Sequence, residues 1–158
     1  MKQEQVQDFT RKITQSNRTG LVVVIYEIIF EYFADAKNSL ESDDYQEFKN
    51  ALHKAGRGID ELIQSLDFRY EISKNLYSLS VFAKELLEKA IVKKKTDEID
   101  AANRILTSLY EGFLEAAKQD HSAPLMKNTQ QIYAGMTYGR NHLTEIFQEP
   151  ETSRGFFA

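Results

Sequence analysis

Leu21-Val22-Val23-Val24-Ile25-Tyr26 is the stretch on which the fold turns. By propensity it is a strand, because it is dominated by β-branched residues and closes on an aromatic. The charges that follow decide against a strand. Glu27, Glu31 and Asp35 recur every fourth residue, which draws one polar stripe down a helix. Leu21, Ile25, Ile28, Ile29, Tyr32, Phe33, Ala36 and Leu40 fill a broad face opposite it. A helix this apolar around its circumference is expected at the centre of an all-helical core, with the carboxylate stripe turned to solvent.

The segments on either side carry the same period. Val6, Phe9 and Ile13 make a brief amphipathic helix, and Ser16 to Gly20 supply a connection with several helix-start residues. Asp43 with Gln46 reads as a capping box. Tyr45, Phe48, Leu52, Ile59, Leu62, Ile63 and Leu66 then form the stripe of a third helix. Gly56 and Gly58 interrupt it, which predicts either close packing or a softened stretch that adapts to a partner. Asp67-Phe68-Arg69 reads as a turn, and Ile72, Leu76, Leu79, Ala83, Leu86 and Ala90 as a fourth helix. Lys93-Lys94-Lys95 suits a helix C-terminus, and Thr96 with Asp97 and Glu98 suits the next N-terminus. Ile99, Ala102, Leu106, Leu109, Phe113 and Ala117 are the fifth stripe. Pro124 follows its end. Long helices on short turns predict an all-α, antiparallel four-helix bundle with a short N-terminal helix. Residues 1–120 are expected to form the bundle and residues 121–158 a tail that docks as a peptide, since Ile132, Tyr133, Met136 and Tyr138 are too aromatic for an inert one.

The chain has 158 residues, enough for one domain with a core, and its net charge of -4 disfavours nucleic acid and anionic lipid. It has no Cys, which removes disulfides and thiolate chemistry and fits a reducing, cytoplasmic setting. No signal peptide or membrane insertion is expected. His53, His121 and His142 lack the Glu-x-x-His spacing of metal sites in bundles. Gly56-Arg57-Gly58 lacks the strand-turn-helix setting of a phosphate loop. An enzyme with a catalytic, metal or cofactor site is therefore not expected, and a binding protein is.

The order of several short motifs resembles the flagellar protein FliS family, the export chaperones of flagellin. Thr19-Gly20-Leu21 leads to Ile25-Tyr26-Glu27, and Ala36 precedes the acidic turn from Glu41 to Asp44. Glu61-Leu62 is followed by Ser65-Leu66-Asp67-Phe68 and then by Ile72-Ser73-Lys74-Asn75-Leu76-Tyr77-Ser78-Leu79. This is similar to the family's Leu-Asp turn and Asn-Leu-Tyr-x-Leu motif. Leu86, Ala90 and Asp97 fit as well, and the likeness runs from about Phe9 to Ala117. The chain departs from the pattern at Asn17-Arg18-Thr19, at Ser80, and at Gly56 and Gly58, and the tail lies outside the common core.

The resemblance implies a cytoplasmic chaperone that holds the C-terminal segment of flagellin, prevents premature polymerisation and delivers it to components of the flagellar export gate. A free amphipathic terminus self-associates, and a groove can bury its apolar stripe. Val22, Val23, Ile25 and Tyr26 are candidates for that groove, because their helix has more apolar surface than one face can bury. Asn75 and Tyr77 are candidates from the motif, either as ligand contacts or as structural hydrogen bonders. Phe9 and Ile13 belong to the segment that in such chaperones can cover the empty groove. Ile132, Tyr133, Met136 and Tyr138 are expected to compete for the same surface. The alternative is a structural bundle that acts only through homo-oligomerisation.

Overall fold

The computed structural model describes residues 1–126, and these form five helices: α1 (Gln3–Gln15), α2 (Arg18–Glu41), α3 (Tyr45–Gln64), α4 (Ile72–Lys93) and α5 (Asp97–Gln119). α2 to α5 close a four-helix bundle in which α2 touches α3 and α5, α4 touches the same two, and α1 packs on α2. No described residue is in a strand. The tail residues Ile132, Tyr133, Met136 and Tyr138 lie outside the described residues, as does His142.

Side-chain links fix the antiparallel sense. From its N-cap along α2, Asn17, Glu27 and Lys37 meet the C-cap Asp120, Tyr110 and Asp100 of α5, ten residues up one helix for ten down the other. Between α3 and α4, Lys84 holds both carboxylate oxygens of Asp60 at 2.7 and 2.8 Å.

The β-prone run at residues 21–26 is helical throughout. Three neighbours surround α2, and burying Val23, Val24, Tyr26, Ile29 and Phe33 outweighs the few tenths of a kcal/mol per residue by which β-branched side chains disfavour a helix. The core joins these to Phe48, Leu52 and Ile59 of α3, Leu87 of α4, and Ile99 and Leu106 of α5. Gly58 is a close-packing glycine: a β-carbon there would stand 2.6 Å from Ile29 Cγ1, so α2 and α3 touch nearly backbone to side chain. The softened-helix expectation therefore fails at Gly58.

Two helix starts differ from the sequence expectation. Asp44, not Asp43, caps α3 by accepting from the Glu47 amide at 3.1 Å, while Asp43 takes a left-handed φ of 56° in the turn. Thr96 precedes α5 without a side-chain cap. The Glu27-Glu31-Asp35 stripe is also corrected. It is not a bare solvent face, because α1 lies along it. The terminal amine reaches Asp35 at 2.6 Å, Gln5 Nε2 donates to Glu31 at 2.7 Å, and Lys12 Nζ donates to Glu27 at 2.9 Å. These links step up α1 and down α2, so α1 is antiparallel too.

Candidate partner-binding site

The site is at the end of the bundle where α2 begins, α3 ends, α4 begins and α5 ends. The connection from Ser65 to Glu71 is the longest between the bundle helices. Asp67 organises it. Its carboxylate accepts from the Arg69 backbone amide at 3.0 Å and from Arg69 Nε at 2.9 and 3.0 Å. The Arg69 side chain and amide together hold the Asp67 carboxyl below the ordinary carboxylate range. The Asp67 carbonyl accepts from the buried Ser73 hydroxyl at 2.6 Å, tying the loop to the first turn of α4.

Between this connection, the first turns of α2 and α4, and Phe113 of α5 lies an apolar cleft of about 250 Å³. Val22, Leu66, Ile72, Leu76 and Phe113 are its apolar walls, with Tyr70 beside them and Arg18 and Thr19 on its rim. Tyr70 and Ile72 are each 63% exposed, an unusual loss of hydrophobic burial unless something covers them. The apolar surface continues along α4. Lys84 turns to α3, and Leu79 and Phe82 sit on the other flank of α4 by the 100° step per residue, both exposed. Phe68 stands edge-on to Tyr77 with ring centres 5.8 Å apart, covering the outside of the loop.

Of the sequence candidates, Val22 lines the cleft and Ile25 packs half-buried against the core. Tyr26 belongs to the core rather than to open groove surface. It is 2% exposed, its ring lies 5.8 Å from Phe113 and 6.2 Å from Tyr110, and it reaches only the floor of the cleft. Val23 does likewise, because one residue along the helix turns it 100° from Val22, towards the side that carries Glu27, and it is buried there. Phe9 is buried and Ile13 half-buried in α1, which lies on the Glu27 side of α2, away from Val22 and the cleft. The docked N-terminal helix thus covers an apolar flank of α2 but leaves the end cleft open. Asn75 and Tyr77 are exposed, and neither side chain hydrogen-bonds a described residue, so the structural hydrogen bond allowed for them is not present. Tyr70, Ile72, Leu66 and Phe113 were missed as site residues. The signal was in Ser65-Leu66-Asp67-Phe68, read as a family motif and, from Asp67 to Arg69, as a turn, but not as a wall of the cleft.

The chain beyond α5 starts at the rim of this cleft. Asn17 caps α2 through Oδ1, and its Nδ2 donates to the carbonyls of Asp120 at 3.1 Å and Ser122 at 3.2 Å. Thr19 Oγ1 donates to the Asp120 carboxylate at 2.7 Å, and the Leu125 amide donates to the Ser16 carbonyl at 3.1 Å. The Ser122 and Thr19 donors pull the Asp120 carboxyl down to about 2. No group of side chains suited to a metal ion occurs among the described residues, and no described helix is long and apolar enough to cross a membrane.

A helical bundle with an apolar cleft at one end and an amphipathic helix clasped to its side belongs to the class of small helical modules that hold another chain. The chain matches the model of one family, described as flagellar protein FliS, over residues 1–120. It belongs to that family, which is one of flagellar export chaperones. No curated protein matches it.

Proposed function

We propose that the protein binds the C-terminal segment of flagellin in the cytoplasm, keeps it from polymerising, and passes it to the flagellar export gate. The observation that carries the reading is the open apolar cleft, continued by Ile72, Leu79 and Phe82 along α4. An amphipathic helix laid on that track would bury apolar area worth about 25 cal/mol per Å², while its polar side stayed in water. Membership of the FliS family supports a flagellar client.

Two parts of the chain are proposed to regulate the client: α1, by covering the α2 flank beside the cleft, and the tail, by competing for the cleft itself. α1 packs only on α2, through three polar links and the apolar contact of Phe9 and Ile13, so it can leave without parting the four bundle helices. The tail begins at Arg18 and Thr19, the rim of the cleft, which lets Ile132, Tyr133, Met136 and Tyr138 compete at high effective concentration.

Calorimetric titration with the flagellin C-terminal peptide of the same organism tests the reading. One-to-one binding with a negative heat-capacity change is expected. No heat, together with a mass that rises with concentration, would favour the homo-oligomeric bundle instead.

A further inference from the structure

Buried hydroxyls in this bundle generally have partners. Thr14 Oγ1 donates to the Arg11 carbonyl at 2.8 Å and Ser73 Oγ to the Asp67 carbonyl at 2.6 Å. Tyr26 and Ser80 break the pattern. They are 2% and 3% exposed, yet neither hydroxyl has a hydrogen-bond partner among the described residues. Ser80 does not even return its hydroxyl to the carbonyl four residues back, as Ser78 does to Lys74. A hydroxyl on so buried a residue is costly to leave unpaired unless solvent reaches it, and an apolar side chain at either position would avoid the question.

Both residues line one small space between α2 and α4, of about 10 Å³. It shares Val22, Leu66, Leu76 and Phe113 with the larger cleft, so it is the floor of that cleft. The two hydroxyls are not sealed off. Glu98 Oε2 is the only described side-chain atom both shut away from solvent and unpaired, so the unpaired hydroxyls of Tyr26 and Ser80, whose residues line this space, each keep some access to solvent.

We propose that Tyr26 and Ser80 are a polar anchor that takes one small hydroxyl or carboxamide side chain (Ser, Thr or Asn) from the bound segment. This rests on reading the cleft as the flagellin site. The space holds about one water-sized group, which rules out long or aromatic side chains. No charged residue lines the floor, so a carboxylate or ammonium would be desolvated without a partner. A hydroxyl or carboxamide can accept from one wall and donate to the other. Burial pushes the Tyr26 hydroxyl up to about 12, so it stays protonated and able to do both. The anchor also solves a problem of register. An apolar ridge can slide along an apolar track by a turn, whereas a single buried polar pair fixes one alignment, as buried Asn does in coiled coils.

The test uses Tyr26→Phe, Ser80→Ala and the double variant in the full chain. Thermal unfolding without ligand is expected to show Tm unchanged or raised. Titration with the flagellin C-terminal peptide is expected to lose about five- to tenfold in affinity per hydroxyl. Replacing the peptide's Ser, Thr and Asn residues by Ala one at a time is expected to find one position with the same loss against wild type and none against the double variant. Unchanged affinity in both variants overturns the anchor, and so does a lowered Tm, which would mean the hydroxyls are already partnered in the empty cleft. If the wild-type chain binds no flagellin peptide, the flagellin reading fails instead, and the Tm arm alone decides the anchor.

Discussion

Gly58 of α3 lies so close to Ile29 of α2 that an added β-carbon would meet Ile29 Cγ1 at 2.6 Å. Ile29 is fully buried, so it can yield only by displacing its core neighbours. Gly58→Ala is expected to destabilise the chain despite gaining about 1 kcal/mol of helix propensity, because overpacking a core costs roughly 1–3 kcal/mol. Gly112 in α5 is the control, since nothing lies within 4 Å of its added β-carbon. Gly112→Ala should stabilise by about 0.5–1 kcal/mol. Urea unfolding of both variants checks the opposed signs, and two stabilised variants would sink the close-contact account.

Tyr70 and Ile72 test the cleft directly. Both are mostly exposed, so Tyr70→Asp and Ile72→Asp should change stability by no more than about 0.5 kcal/mol. They place a charge on the wall that an apolar client would cover, and flagellin-peptide affinity is expected to fall by about tenfold or more, on the order of 1.4 kcal/mol. Unchanged affinity with an intact fold would move the client site elsewhere.

The five helices were legible because each carries an apolar stripe at helical spacing. The polar stripe of Glu27, Glu31 and Asp35 was equally legible as a stripe, but not its occupant. Gln5 and Lys12 could bond to any exposed carboxylate, and only the docked path of α1 selects Glu31 and Glu27. The division between Val22 and Val23 was not legible. Neighbouring valines differ only in helical phase, and phase sorts them into cleft and core once α1, α3 and α5 are in place. The cleft itself is walled on one side by the Asp67-centred loop, whose path no apolar period records.

The cover supplied by α1 and by the tail can be separated by two truncations. Removing residues 1–15 uncovers the α2 flank that holds Val23 and Val24. Ending the chain after Asp120 removes Ile132, Tyr133, Met136 and Tyr138. Ending the chain after Asp120 is expected to tighten flagellin binding, because a competitor held in the same chain reduces apparent affinity by the fraction of time it occupies the site, whereas removing α1 tightens it only if the client extends from the cleft onto the α2 flank. Tightening by only one of them would identify which segment shares the client's surface. Unchanged or weaker binding by both would sink the competition.

Asp120 makes the start of the tail sensitive to acid and to nothing near neutrality. Its carboxyl is held at about 2, against an ordinary value of 3.8, chiefly by the Ser122 and Thr19 hydroxyls. A depressed folded value favours the bonded, ionised form, so the link is fully present above about pH 4 and is lost as pH falls towards 2. The Asp120 carboxyl carbon, followed by NMR, is expected to titrate near 2, with the Ser122 amide and Thr19 signals moving in the same step. Thr19→Val removes one of the two hydroxyl donors and should raise that midpoint part of the way towards 3.8. A wild-type midpoint already at 3.8 would mean that the carboxylate is free, and the tail would then leave the cleft rim untethered by Asp120.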